Sequence, residues 1–305
     1  MSRRRHPTRR HAPTVRHAAI ALGAATALFL PPPPAPQKAS ALGLYPPGTC
    51  TNQSPDTLTP IQRQIETQRG RLSSADVEER RDAVVSLGAL KRPEASRAAG
   101  AALGDGSAVV RAHAARAVLS LGPADVAALL TPVLLRDRDE FVRRESAYAL
   151  GLARAGAAVP ALLTALERDK EASVRGAAAV ALGQIGDPAA VPVLARKLSE
   201  RIPGTGLLSR VTRSRRDEDE FVRRSAAVAL GQIGDRAAVP ALIDALSKEG
   251  SEADVRRESA HALGLIGDPA AVPALRAALT ARDPHLSRIA FEALRKLEAS
   301  AARQP

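Results

Sequence analysis

The sequence predicts an all-α chain, a right-handed α-solenoid of stacked helix pairs. Three observations predict it. One motif recurs along most of the chain, its copies carry apolar residues at helical spacing, and glycine and Asp-Pro mark the breaks between helices. The clearest copies are VRGAAAVALGQIGDPAAVPVLARKL from Val174, VRRSAAVALGQIGDRAAVPALIDAL from Val222 and VRRESAHALGLIGDPAAVPALRAAL from Val255. More divergent copies start at Val142, at Val110 and near Arg80, and a half-copy starts at Leu286. Anchor positions 79, 110, 142, 174, 222, 255 and 286 are spaced 31, 32, 32, 48, 33 and 31 residues apart.

Each unit reads as two helices. In the copy at Val174, small or apolar residues fall at 174, 177, 178, 181, 182 and 185, the stripe of one buried helix face. Gly186 stops that helix, and Asp187-Pro188 opens the next, whose buried face is Val191, Leu194 and Leu198. Pro192 stands near the start of the second helix, and a start at 188 would predict a kink there. One pair cannot bury both of its faces, so the pairs must stack. Ahead of them, Thr59-Pro60-Ile61-Gln62 reads as a capping box opening an amino-terminal capping helix.

The first residues have another character. Met1 to His17 is Arg-rich, and residues 18–30 form an apolar run that is short of the roughly 20 residues a membrane span needs. Ala39-Ser40-Ala41 then predicts cleavage before Leu42. Residues 1–41 therefore read as a signal peptide, with an uncleaved inner-membrane anchor as the alternative. The expected location is exported, periplasmic or extracellular. Residues 42–58 read as a linker and residues 59–305 as the solenoid. The long interval predicts an insertion loop at 199–220, where Pro203, Gly204 and Gly206 oppose a helix and Asp217 to Glu220 form an acidic run.

Composition narrows the function. The net charge is +12, but residues 1–41 hold six Arg and Lys38 with no acid, leaving 37 basic against 32 acidic residues. That balance, with 2% aromatics, disfavours nucleic-acid binding and base stacking. A single Cys, Cys50, excludes an intramolecular disulfide and a Cys-based zinc site.

Residues 79–297 resemble HEAT repeats of the short type found in phycobilisome lyases, through the pattern VR…ALG…GDP…AVP. The resemblance implies that the VR…ALG helices line the concave face and that the chain is a non-enzymatic scaffold for a protein partner. A phycobilin lyase-like chromophore-attachment or chaperone role is the alternative, and a HEAT-like nucleic-acid binder the further one. It also implies that Asp105/Arg111, Asp137/Arg143, Asp169/Arg175 and Asp217/Arg223, each six apart, form a structural ladder. HEAT-like deoxyhypusine hydroxylases hold iron through His-Glu pairs. Here the equivalent pairs are Arg144-Glu145 and Arg257-Glu258, and Arg cannot ligate a metal, so no metal, cofactor or catalytic residue is expected.

The positions that vary between copies point to the partner. Two and six places after each anchor lie residues four apart, which share a helical stripe. Arg144, Tyr148, Arg224, Arg257 and His261 occupy it and are the candidate partner-binding residues.

Overall fold

The computed structural model describes residues 58–200, 209–248 and 252–301, with the side chains of 209–219 and 300–301 excepted. The leader, nearly all of the linker, Cys50 and residues 201–208 lie outside the described residues. Among the described residues fourteen α-helices follow one another. They are α1 (Pro60–Arg71), α2 (Val77–Ala89), α3 (Pro93–Gly100), α4 (Ala108–Ala117), α5 (Pro123–Arg136), α6 (Glu140–Leu152) and α7 (Val159–Arg168), then α8 (Ala172–Ile185), α9 (Val191–Ser199), α10 (Ser209–Ile233), α11 (Val239–Ser247), α12 (Ala253–Ile266), α13 (Val272–Ala278) and α14 (Pro284–Ala301). Helices α6, α8, α10 and α12 carry VR…ALG, α2, α4 and α14 carry divergent forms of it, and the seven pack on one another in the order α2, α4, α6, α8, α10, α12, α14. Helices α3, α5, α7, α9, α11 and α13 carry the AVPAL half and form the second layer of the α-solenoid.

The local signals act as expected. Thr59 and Gln62 form the capping box, with the Gln62 amide N–H 3.3 Å from Thr59 Oγ1 and the Thr59 amide N–H 2.9 Å from Gln62 Oε1. Gly186, Gly234 and Gly267 end their helices at φ of 79°, 77° and 71°, a region open to glycine. Asp187 accepts a hydrogen bond from the Ala189 amide and starts a 3-10 turn at Pro188–Ala190. That turn delays α9 to Val191 and puts Pro192 in its first turn, where the missing N–H breaks no helical bond.

Between the layers runs a core of Ala, Val and Leu. Val174, Ala177, Ala178, Ala181, Leu182, Leu194 and Leu198 are fully buried. Within the VR…ALG layer the contact is closer than leucine would allow. A Cβ built on Gly183 would lie 2.7 Å from Ala229 Cα, and one on Gly231 would lie 2.9 Å from Ala262 Cα. Gly151 meets Ala181 and Gly264 meets Ala293 in the same way. The glycine of ALG is thus the seat of the next helix, not a helix stop. In the copy with Leu119 at this place, the α-helix ends at Ala117 and turns into a 3-10 segment, Val118–Ser120. In the last copy the place is held by Arg295, and no further repeat follows among the described residues. Replacing Gly231 by Ala should therefore cost about 1–3 kcal/mol through overpacking, against its better helix propensity. Gly70→Ala, with nothing within 4 Å, should gain up to about 1 kcal/mol. Thermal melts of the two variants check the contrast.

One expectation fails. Residues 209–220 are helical and continuous with the VR…ALG segment in α10. No Gly or Pro stands between Leu207 and Leu230, and Arg and Glu are good helix formers, so the repeat helix extends backward through the second half of the insertion. The Pro-Gly cluster at 203–206 ends before it.

Candidate partner-binding face

The face of the VR…ALG layer rests on a ladder of ion pairs. Arg111 donates from Nε to Asp137 Oδ2 at 2.7 Å and from Nη2 to Oδ1 at 2.8 Å. Arg143 does the same to Asp169, at 2.7 and 2.9 Å, and Arg80 to Asp105, at 2.7 and 3.0 Å. Nη1 of each Arg turns back to its own loop, Arg80 to Ser74 O, Arg111 to Asp105 O and Arg143 to Asp137 O, and Arg175 donates to Asp169 O in the same way. The ladder exists, but its carboxylate pairing crosses to the next repeat. The residue six places earlier supplies only its carbonyl.

Each Asp is placed by a turn. Its Oδ1 also accepts the amide two residues on, Ser107 for Asp105, Asp139 for Asp137 and Glu171 for Asp169. The hydrogen bond from Arg80 is the chief cause holding the Asp105 carboxyl below its usual range. At Asp137 and Asp169 burial is the largest influence and pushes upward, yet the Arg bonds and backbone amides together hold both carboxyls low.

The insertion interrupts the ladder. Asp217 lies inside α10, not in a loop before a helix, and its side chain is outside the described residues. Six residues apart on one helix, Asp217 and Arg223 lack the three- or four-residue spacing of a helical ion pair. Arg223 is instead buried, donating to Leu198 O at 2.9 Å and pairing with Glu252 at the start of α12.

Of the five candidate residues, Arg257 is the one bound into the ladder. Arg257 donates to Asp283 Oδ2 at 2.8 Å and to Asp254 Oδ1 at 2.8 Å. It takes the ladder role one place late, because Arg256 is drawn to Leu246 O. Arg144 and Arg224 are 35% and 42% exposed, and their carboxylate contacts are long, 3.6 Å to Glu145 and 3.5 Å to Asp254. Tyr148 is half-buried against the core, and His261 is exposed.

Two aromatic residues were not among the candidates. Phe141 and Phe221 stand just before the anchors of their repeats, and Arg144 and Arg224 lie over their rings at 4.8 and 5.9 Å. A Cβ on Gly176 would fall 2.1 Å from the Phe221 ring, so this ring needs a glycine in the repeat before it. Ala112 and Phe141 line one small pocket together. The signal was present as EFVRRESAYAL and EFVRRSAAVAL, two copies with Phe before Val-Arg-Arg and a small residue one repeat earlier. Where that small residue occurs, at Ala112 and Gly176, the varying stripe is covered from the next repeat.

Comparison with known proteins now gives the family. The model of HEAT repeats matches residues 69–151, 130–201 and 248–305, more than half of the chain. The chain belongs to the HEAT-repeat family. The model of the PBS lyase HEAT-like repeat matches residues 222–248 of this HEAT-repeat protein, so the short repeat type holds as well. Escherichia coli YibA is 20% identical, with a TM-score of 0.53 over 80% of this chain and 89% of that one, a likeness of fold. The complex of CpcE and CpcF of phycocyanin lyase from Nostoc sp. PCC7120 is 25% identical, with a TM-score of 0.46 over 83% and 91% of the two chains. A designed armadillo repeat protein is 17% identical, with a TM-score of 0.40 over 76% and 99%. No curated protein matches the chain significantly in sequence. Among the described residues no group of three His, Cys, Asp or Glu is placed to hold a metal, and no helix is long and apolar enough to cross a membrane.

Proposed function

We propose that this HEAT-repeat protein is a non-enzymatic scaffold that binds a protein partner on the face of its VR…ALG helices. The observation that carries the reading is the stacked Phe–Arg pair, present at equivalent places in two repeats, Phe141–Arg144 and Phe221–Arg224. Each ring fixes a guanidinium that keeps donors toward solvent, and aromatic and Arg side chains are favoured interface anchors. The ladder beneath holds the helices in register, so the groups are presented by a rigid support. We further propose that residues 1–41 export the chain.

The test is affinity capture of the tagged full chain beside an Arg144→Ser/Arg224→Ser variant. Helicity should be unchanged, and the principal companion should be lost from the variant, at least about tenfold for roughly 1.4 kcal/mol of binding. Identical companions on both would contradict the reading. Mass spectrometry of the bait's amino terminus should show a chain starting near Leu42 in the envelope fraction. An intact Met1 chain in the cytoplasm would contradict export.

A further inference from the structure

Helices α2, α4 and α6 enclose a recess on the VR…ALG face that differs from the rest of it. A cavity of about 320 Å³ is lined by Val85, Gly88, His113, Arg116 and Ala117. A smaller one, lined by Ala112, His113, Arg116, Phe141 and Glu145, shares His113 and Arg116 with it. The floor is apolar: Gly88 lies close on Ala117, and Val85 is an exposed apolar wall. The rim is cationic. Arg116 is 67% exposed, and its contact with Glu145 Oε2 is 3.7 Å, too long for a hydrogen bond. Arg144 reaches the other oxygen of the same carboxylate at 3.6 Å. Two guanidinium groups thus share one nearly buried anion, and both keep donors outward. His113 Nδ1 is 2.8 Å from Val109 O, a bond in which this nitrogen donates to the carbonyl.

We infer that this recess is a docking site for a short acidic protein segment carrying one bulky aliphatic side chain. The aliphatic group enters the cavity beside Val85 and Gly88. Carboxylates on either side of it meet Arg116 and Arg144, which supply the charge-assisted bonds that Glu145 satisfies only at long range. The chain's own amino-terminal segment has the wrong charge for the site, since no acid occurs before Asp56 while six Arg and Lys38 do. The inference rests on the scaffold reading and narrows it to the first three repeats and to one chemistry of partner.

The test uses the full chain and a fluorescein-labelled, amidated peptide, Asp-Glu-Asp-Leu-Asp-Glu-Asp, read by fluorescence anisotropy. Binding should weaken about tenfold in Arg116→Gln, corresponding to the loss of roughly one charge-assisted hydrogen bond. It should weaken with added salt and when Leu in the peptide is replaced by Asn. Val85→Trp, a change at an exposed position that fills the cavity mouth, should abolish the preference for Leu over Asn. Absence of peptide binding, or binding that Arg116→Gln leaves unchanged, would overturn the inference. Binding lost in Arg224→Gln and kept in Arg116→Gln would overturn the location while leaving the scaffold reading intact. A single-stranded oligonucleotide that binds more tightly than the peptide and is displaced by the same Arg116→Gln change would overturn the partner class. Failure of the peptide while a captured companion still depends on Arg144 and Arg224 would overturn this inference alone.

Discussion

Leu182→Asp is expected to unfold the middle of the solenoid. Leu182 is fully buried in α8, whose neighbours are α6, α7 and α10. Removing a buried leucine side chain costs about 2–5 kcal/mol, and placing an unpaired carboxylate in the same site adds several more. The sum rivals the roughly 5–15 kcal/mol that holds a typical domain folded. Because each repeat is supported mainly by its neighbours, the loss should spread from α8 to the repeats beside it. Circular dichroism at 25 °C should show a large loss of helix in Leu182→Asp. Leu265→Asp, at an exposed position of α12, should melt close to the parent, within about 0.5 kcal/mol.

Arg143→Ala should be the next most damaging change. Arg143 and Asp169 have side chains only 7% and 9% exposed, joined by two short bonds, and Arg143 also holds Asp137 O. Removing one partner of a buried pair strands the other, at a cost of about 3–5 kcal/mol. The Asp169 carboxylate then keeps its bond from the Glu171 amide and loses both bonds to the guanidinium. An Arg143→Leu/Asp169→Leu double change should recover much of the loss, because the stranded charge goes with its partner. Arg257→Ala, whose side chain is 30% exposed, should cost less. Denaturant unfolding of the three variants gives the order directly.

The ladder also sets an acid limit. Asp105, Asp137, Asp169 and Asp283 all have carboxyls held below their ordinary value of 3.8 in the folded chain. A depressed folded value means that the unfolded chain binds protons first as pH falls. The stabilisation is therefore complete above the ordinary value and is lost as pH drops below about 4. Melting temperature should be flat from neutral pH to about 5 and fall below 4, and the fall should be shallower in the Arg143→Leu/Asp169→Leu variant.

Much of this was legible in the sequence, and the exceptions have physical causes. Repeat period, helix starts at Thr59 and Asp187, and the buried stripe through Val174 and Leu182 all arise from local chemistry, which sequence displays. The glycines of ALG recur with the same period as Gly186, Gly234 and Gly267, so punctuation and close packing gave one signal for two roles. The ladder's true pairs lie 25 or 26 residues apart, while the eye meets the six-residue spacing first. Arg257 looked like its counterpart Arg144, but Asp283 in the following loop claims it. Phe141 and Phe221 give no signal within their own repeats, because their importance depends on small residues, Ala112 and Gly176, in the repeat before.

The binding face proposed for this protein is the face of its VR…ALG helices. Hydrogen exchange of the full chain, alone and with the companion recovered by capture, tests it most directly. New protection is expected in helices α4, α6, α10 and α12, around Arg116, Arg144, Arg224 and His261. Protection confined to α7, α9 and α11 would put the partner on the other layer and contradict it.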